Sequence, residues 1–331
     1  MEIRDNRALK EYTGQVLADA AYSPKRLALI HTAVSLAATL VLAVISFILS
    51  RQIGGTGGLA GLGTRSILET VQTVLQLAST LLLPFWEVGF LYAAIRMARK
   101  EDNSPRTLAE GFRRFGAVLR LMLLRGALIL AVMFLCSQAA TMVYLLTPFS
   151  DSYFQLYESF MNGTDPTVLM DDAAMQAVGE SMLPMLLIAA VLAIILLIPL
   201  LYRFRQAEYV VIDQPRTGAI AALRASNRMM RGNCMAMFRL DLSFWWFYAA
   251  QAVLALVGYG DVILEAVGVT LPMSGDTAYF LFYLLYIGGQ LLLLWKYRSA
   301  VDTAYAVAYD VLKAPKESKP QPQPKNLPWT Y

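Results

Sequence analysis

Apolar residues in this chain come in long unbroken runs, separated by short polar and charged stretches. Six runs stand out: Leu27–Leu49, Val74–Met97, Val118–Leu146, Leu183–Tyr202, Leu240–Tyr259 and Ala278–Trp295. Each is about long enough to cross a hydrocarbon core of ~30 Å as a helix. They lack the strict alternation of a lipid-facing β-strand, which argues against a barrel. The pattern predicts an all-α integral membrane protein with six transmembrane helices. The second run is the least clean: its approach, "SILETVQTVLQLAST", carries Glu69, Gln72 and Gln76 and is expected to begin as an interfacial turn. About 26 polar or mixed residues precede the first run, long for a signal n-region, so that run reads as a retained span.

Two stretches between runs share an order. "NSPRTLAEGFRRFGAVLRLMLL" from Asn103 and "DQPRTGAIAALRASNRMMRGNCMAMFRLDL" from Asp213 each follow an apolar run and turn at Pro-Arg-Thr. Each then continues as a basic amphipathic helix into the next run. Pro105 and Pro215 set the turns, and Thr107 or Thr217 can cap the helix start. This predicts an internal repeat, with units at about 74–148 and 183–260. At 100° per residue Leu108, Phe112, Phe115 and Leu119 share a narrow arc. In the second copy Arg224, Arg228 and Arg231 share a face, with Ala219, Ala222, Leu223, Met229 and Met230 broadly opposite. The remaining parts are an N-terminal segment 1–26, a membrane domain 27–297, a short helix 298–313 continuing from the sixth span, and a disordered Pro-rich tail 314–331.

Composition sharpens this picture. The chain has 331 residues, 57% hydrophobic and 16% charged, with mean hydropathy +0.50; soluble domains carry about a quarter charged residues. Lys and Arg gather in the N-terminal segment, in the two repeat linkers and after the sixth run. The stretch Phe149–Met182 has none, but holds six acids. The positive-inside rule therefore puts both termini in the cytoplasm, in keeping with an even number of spans. A net charge of +4 is a poor argument for nucleic acid, and no aromatics interleave with the linker arginines as a stacking platform requires.

A basic amphipathic helix beside a span suits an interfacial anchor, its apolar face at the headgroups and its arginines on anionic lipid. Arg113, Arg114, Arg224, Arg228 and Arg231 are the candidate lipid- or partner-binding residues. Glu87 is the candidate intramembrane polar site, because a carboxyl inside a span is costly to leave charged. Arg96 is about 13 Å along the helix from Glu87, so an ion pair would need an arginine from another span. Asp213 is expected in the turn before Pro215; Asp241 is a second polar candidate, expected to pair with Arg239 or a neighbouring helix.

Other features favour plain structural readings. His31 stands alone and reads as a helix-interface residue; Cys136 and Cys234 form neither a disulfide framework nor a metal cluster. "GGTGGLAGLG" lacks the Lys-Ser/Thr ending of a phosphate loop, and "NGT" at Asn162 carries little weight. Pro84, Pro184 and Pro199 are expected to kink or end helices. Tyr279, Phe280, Phe282, Tyr283 and Tyr286 are expected to anchor and pack the sixth span. No catalytic set is assembled, and neither a metal nor a cofactor is expected.

The stretch from Tyr202 to Phe247 resembles a bacterial membrane family catalogued as domain of unknown function 975. The matching residues are Tyr209, Asp213, Ala221, Ser226, Met230, Gly232, Phe238, Leu240, Leu242, Ser243 and Phe244. The family usually has Gly or Ile-Gly before the next Trp, where this chain has Trp245 directly after Phe244. The resemblance implies a multi-pass protein of the bacterial cytoplasmic membrane and supplies no substrate or catalytic residue. The expected function is non-enzymatic: organising anionic lipids or a membrane-protein partner at the cytoplasmic leaflet. The rival is a transporter or channel for a small solute, ion or lipid, with Glu87 as its coupling group.

Overall fold

A computed structural model describes residues 3–55, 62–148, 150–151, 154, 158, 172–214, 216–269 and 275–314. The centre of the Gly-rich loop, most of the acidic stretch with Asn162, Pro215 and the Pro-rich tail lie outside the described residues. The described residues are mainly helical, with no strand among them. In chain order the helices are α1 Asn6–Ala18, α2 Pro24–Gly55, α3 Leu62–Ala98, a 3-10 turn Pro105–Ala109, α4 Glu110–Arg113, α5 Phe115–Leu145, α6 Asp172–Phe204, α7 Ala207–Asp213, α8 Ala219–Met230, α9 Cys234–Leu242, α10 Trp245–Gly258, α11 Gly260–Ala266 and α12 Gly275–Lys313.

Five helices are long and apolar enough to cross a membrane, and a sixth crossing exists if α9 and α10, bent by 63°, count as one span. The five match the apolar runs read from the sequence. The fifth run does not fold as one rod: its backbone turns at Ser243 and Phe244, where the Ser243 hydroxyl donates to the Leu240 carbonyl at 2.6 Å. The straight part that follows, α10, has 14 residues, about 21 Å of rise. Pro84, Pro184 and Pro199 lie inside α3 and α6, so none of them ends its helix. The helix expected after the sixth run is the unbroken continuation of α12.

The chain forms two compact units, Met1–Arg113 with Met235–Tyr331, and Arg114–Cys234. In the first, polar contacts gather four helix ends at one end of the bundle. Tyr22, just before α2, and Asn103, just after α3, exchange two hydrogen bonds: the Tyr22 amide donates to Asn103 Oδ1 at 2.8 Å, and Asn103 Nδ2 donates to the Tyr22 carbonyl at 2.9 Å. Arg99 grips Asp310 of α12 with Nη2 at 2.6 Å and Nε at 3.1 Å. Lys10 of α1 donates to the Ser243 carbonyl at 2.8 Å and lies over the Phe244 ring. Thus α2 leaves this end, α3 returns, α10 leaves and α12 returns.

α12 changes surroundings along its length. Leu281, Leu284, Leu285 and Leu292 point outward, whereas Val301, Thr303, Ala304 and Ala306 to Tyr309 are enclosed. The enclosing partners include α1, which buries Leu9 and Val16. α3 approaches the 3-10 turn and α4 backbone to backbone: a Cβ on Gly89 would fall 1.9 Å from the Leu108 carbonyl oxygen, and one on Gly111 1.9 Å from that of Phe85. The first repeat linker is therefore not a single helix. It is a 3-10 turn and one α-turn pinned to α3, and it breaks at Arg114. Phe112 and Phe115, expected on one narrow arc with Leu108, do not share its surroundings: they are exposed while Leu108 is buried. Neither threonine caps a helix. Thr107 sits within the 3-10 turn and donates to the Ser104 carbonyl, and Thr217 donates to the Gln214 side chain.

The second unit packs α5 against α6 and seats α8 on both and on α7. α6 and α7 are separated by a break at Arg205 and Gln206, which Ser226 of α8 spans. Its hydroxyl donates to the Arg203 carbonyl at 2.8 Å and accepts from the Gln206 amide at 3.1 Å. Gly232, in the left-handed region at φ 79°, follows α8 and turns the chain toward α9.

Candidate functional site

Glu87 lies on α3 facing α12, and the arginine it needs comes from there. Arg298 donates through Nη2 to Glu87 Oε2 and through Nε to Asp302 Oδ2 at 3.2 Å, while its guanidinium sits 4.5 Å from the centre of the Phe90 ring. The Arg298 side chain is only 11% exposed, against 49% for Glu87, so the cation is the enclosed member of the pair. This charge set stands where α12 passes from outward-facing leucines to its enclosed half. It lines one side of an open cleft of about 320 Å³, with Phe247, Tyr248 and Gln251 of α10 opposite.

The cleft connects to Asp241 through two phenols. Tyr305 donates to Asp241 Oδ1 at 2.6 Å, and its oxygen lies 2.6 Å from that of Tyr248. With the Tyr305 proton directed at the carboxylate, Tyr248 must donate to Tyr305. Asp241 thus pairs with a neighbouring helix, one of the two outcomes expected for it. A chain of hydroxyls from a charged cleft to a carboxylate can hold a small polar molecule in place or pass a proton. Arg298, Asp302, Tyr248 and Tyr305 were not singled out from sequence. The only signal was an i, i+4 Arg–Asp pair just past an apolar run.

His31 packs at the α2–α3 contact. It is fully buried, stacks on Trp86 and donates from Nε2 to the Trp86 carbonyl at 3.0 Å; Trp86 Nε1 returns a bond to the His31 carbonyl at 3.1 Å. A carbonyl only accepts, so Nε2 carries the proton. Outside the spans, burial lowers the Lys10 pKa from its ordinary value, and the hydrogen bond from Lys100 to Asp19 raises that of Lys100.

The arginine candidates divide. On α8, Ala222, Leu223, Ser226 and Met230 are buried in the second unit, while Arg224, Arg228 and Arg231 are exposed and make no ion pair among the described residues. The apolar face expected to sink among headgroups is instead used for packing within the protein. Arg113 is exposed but paired with Glu110 at 2.8 Å, and Arg114 is half-buried at the helix break. Asp213 closes α7, half-buried. Among the described residues no group of His, Cys, Asp and Glu could hold a metal ion.

The residues that carried the family resemblance are mostly architectural. Ser226 bridges a helix break, Gly232 supplies a left-handed turn, Ser243 makes the bend before α10, and Phe244 lies under Lys10 and is tilted against Tyr305. Removing the Ser226 hydroxyl strands the buried Gln206 amide and takes the donor from the part-buried Arg203 carbonyl. Ser226→Ala is expected to cost about 1–3 kcal/mol, seen as a lower unfolding midpoint of the purified protein in detergent; an unchanged midpoint would refute the bridge. No curated protein and no solved structure matches the chain. The family model described as Protein of unknown function (DUF975) matches residues 27–314, and the chain belongs to that family.

Proposed function

We infer that this is a multi-pass protein of the bacterial cytoplasmic membrane with both termini in the cytoplasm, acting by binding rather than by catalysis. Its task on this reading is to gather anionic lipid at the cytoplasmic leaflet through α8. One observation carries the reading: Arg224 and Arg228 are held outward by a helix whose other face is locked into the protein, Arg231 is exposed at its C-cap, and no carboxylate among the described residues neutralises them. A docked helix presents its charges in a fixed pattern, which an unanchored basic segment does not. The cytoplasmic orientation is supported by the distribution of Lys and Arg and by the gathering of the α1, α3 and α12 ends.

A basic residue near an anionic surface contributes about 1 kcal/mol, so three give up to about 100-fold in affinity. Native mass spectrometry after gentle extraction is expected to find phosphatidylglycerol or cardiolipin retained on the parent. Arg224→Gln/Arg228→Gln/Arg231→Gln should lose most of it, and added salt should weaken the parent's binding. Retention indifferent to the three substitutions would sink the reading. A co-purifying protein lost with the arginines would redirect it to a partner. The transport reading has weaker support, because Glu87 is held in an ion pair with Arg298 rather than left as an isolated carboxyl.

A further inference from the structure

At the other end of the first unit, α12 carries Tyr279, Tyr283 and Tyr286 at a spacing that sets them on one helix face. About 28 Å of helix axis separates Tyr279 from Arg298, close to the thickness of a hydrocarbon core. The Tyr279 and Tyr283 rings stack with centres 5.8 Å apart, and those of Tyr283 and Tyr286 are 6.1 Å apart. Across from them the break between α10 and α11 brings in Tyr259 and Asp261. Glycines permit this approach: a Cβ on Gly258 would lie 3.2 Å from the Tyr286 ring, and one on Gly260 2.6 Å from that of Phe282. Together with Thr39 of α2, four tyrosines and one carboxylate line a cavity of about 450 Å³.

An aromatic belt alone explains tyrosines at a bilayer boundary. It does not explain why they converge on a cavity that also contains a carboxylate. From Tyr259 to Trp295 the chain has Asp261, Glu265 and Asp276 and no lysine or arginine. Arg51 of α2 lies over the Phe47 ring and is not part of the lining. Among the described lining residues an anion would meet Asp261 with no counter-charge, and a purely apolar guest would leave that carboxylate desolvated. A hard divalent ion needs several convergent oxygens, and the described lining residues offer one carboxylate. Aromatic rings lining a cavity beside a single negative charge suit a cation that has an apolar surface and no need of hydrogen-bond acceptors.

We propose that this cavity binds an alkylated ammonium group, with Tyr259, Tyr279, Tyr283 and Tyr286 as its aromatic wall and Asp261 as its counter-charge. The group can belong to a free solute or to a lipid headgroup. The site uses none of the α8 residues, so it stands or falls separately from the anionic-lipid reading. Purified full-length protein in maltoside micelles, titrated with choline chloride and with tetramethylammonium, is expected to show saturable calorimetric binding. Asp261→Asn and Tyr283→Leu should each weaken it about tenfold, while Tyr283→Phe, which keeps the ring, should retain it and serve as the folding control. Nanodiscs with phosphatidylcholine or phosphatidylglycerol, read by native mass spectrometry, identify the source. Phosphatidylcholine retained selectively and lost in both variants, without free choline binding, assigns the site to a headgroup. Binding in neither format, or binding unchanged in both variants, overturns the proposal.

Discussion

Gly89→Ala and Gly111→Ala should each destabilise the protein more than the addition of one methyl group suggests. Each new Cβ would lie 1.9 Å from a backbone carbonyl oxygen, Leu108 for the first and Phe85 for the second. A clashing side chain can rotate away, but a carbonyl fixed in a helical turn moves only with its element. The 3-10 turn and α4 must therefore lift off α3, uncovering Phe85 and Leu108, which are now buried. Overpacking of this kind costs about 1–3 kcal/mol and sometimes more. Helix propensity works the other way, since alanine gains about 1 kcal/mol over glycine in a helix interior. The controls isolate that gain: a Cβ at Gly14 of α1 or Gly126 of α5 meets nothing within 4 Å. Unfolding midpoints measured in one detergent should rise slightly for Gly14→Ala and Gly126→Ala and fall clearly for Gly89→Ala and Gly111→Ala. If Gly89→Ala behaves like Gly126→Ala, the backbone-to-backbone contact does not exist.

That contact also marks the limit of what the sequence makes legible. Long apolar runs report helices directly, because a hydrophobic stretch of span length has few other ways to satisfy its backbone. The α8 face was legible for a similar reason: twelve regular residues keep one period, and Ala222, Leu223 and Met230 are buried where the helical arithmetic puts them. The same arithmetic failed from Leu108 to Leu119. There a close backbone approach at Gly111 and a break at Arg114 reset the phase, so Phe112 and Phe115 turn outward. Periodicity describes only a helix that stays unbroken. The bend at Ser243 was hidden likewise, because a hydroxyl bonding back to the Leu240 carbonyl leaves no mark on the hydropathy. Glu87 was legible as a charge out of place, but Arg298, 211 residues away, was not. Pairings at that distance are a property of the packing.

The Glu87–Arg298–Asp302 set predicts an asymmetric response. The enclosed cation serves two carboxylates, so Arg298→Gln should be far more damaging than Glu87→Gln. Without Arg298, Glu87 and Asp302 lose the cation they share on one side of the cleft, and the Phe90 ring loses the guanidinium above it. Removing one partner of a buried pair costs about 3–5 kcal/mol, an upper bound here because the carboxylates left behind are 49% and 22% exposed. Glu87→Gln leaves Arg298 its bond to Asp302 and an amide oxygen in place of the carboxylate. Glu87 is half exposed, and solvent screening holds its share below about 1 kcal/mol. The two variants, compared by thermal unfolding in the same detergent, should therefore separate widely, with Arg298→Gln poorly folded and Glu87→Gln close to the parent. Equal losses would mean that Glu87 is as enclosed as its partner and that the cleft is closed. Because Glu87→Gln keeps its fold on this reasoning, it is also the variant with which transport can be judged. A flux that the parent supports in proteoliposomes and Glu87→Gln abolishes would make the carboxylate a coupling group, with the ion pair as the latch that opens during each cycle. A flux unaffected by it would leave the pair as the brace holding α3 to α12 beside the cleft.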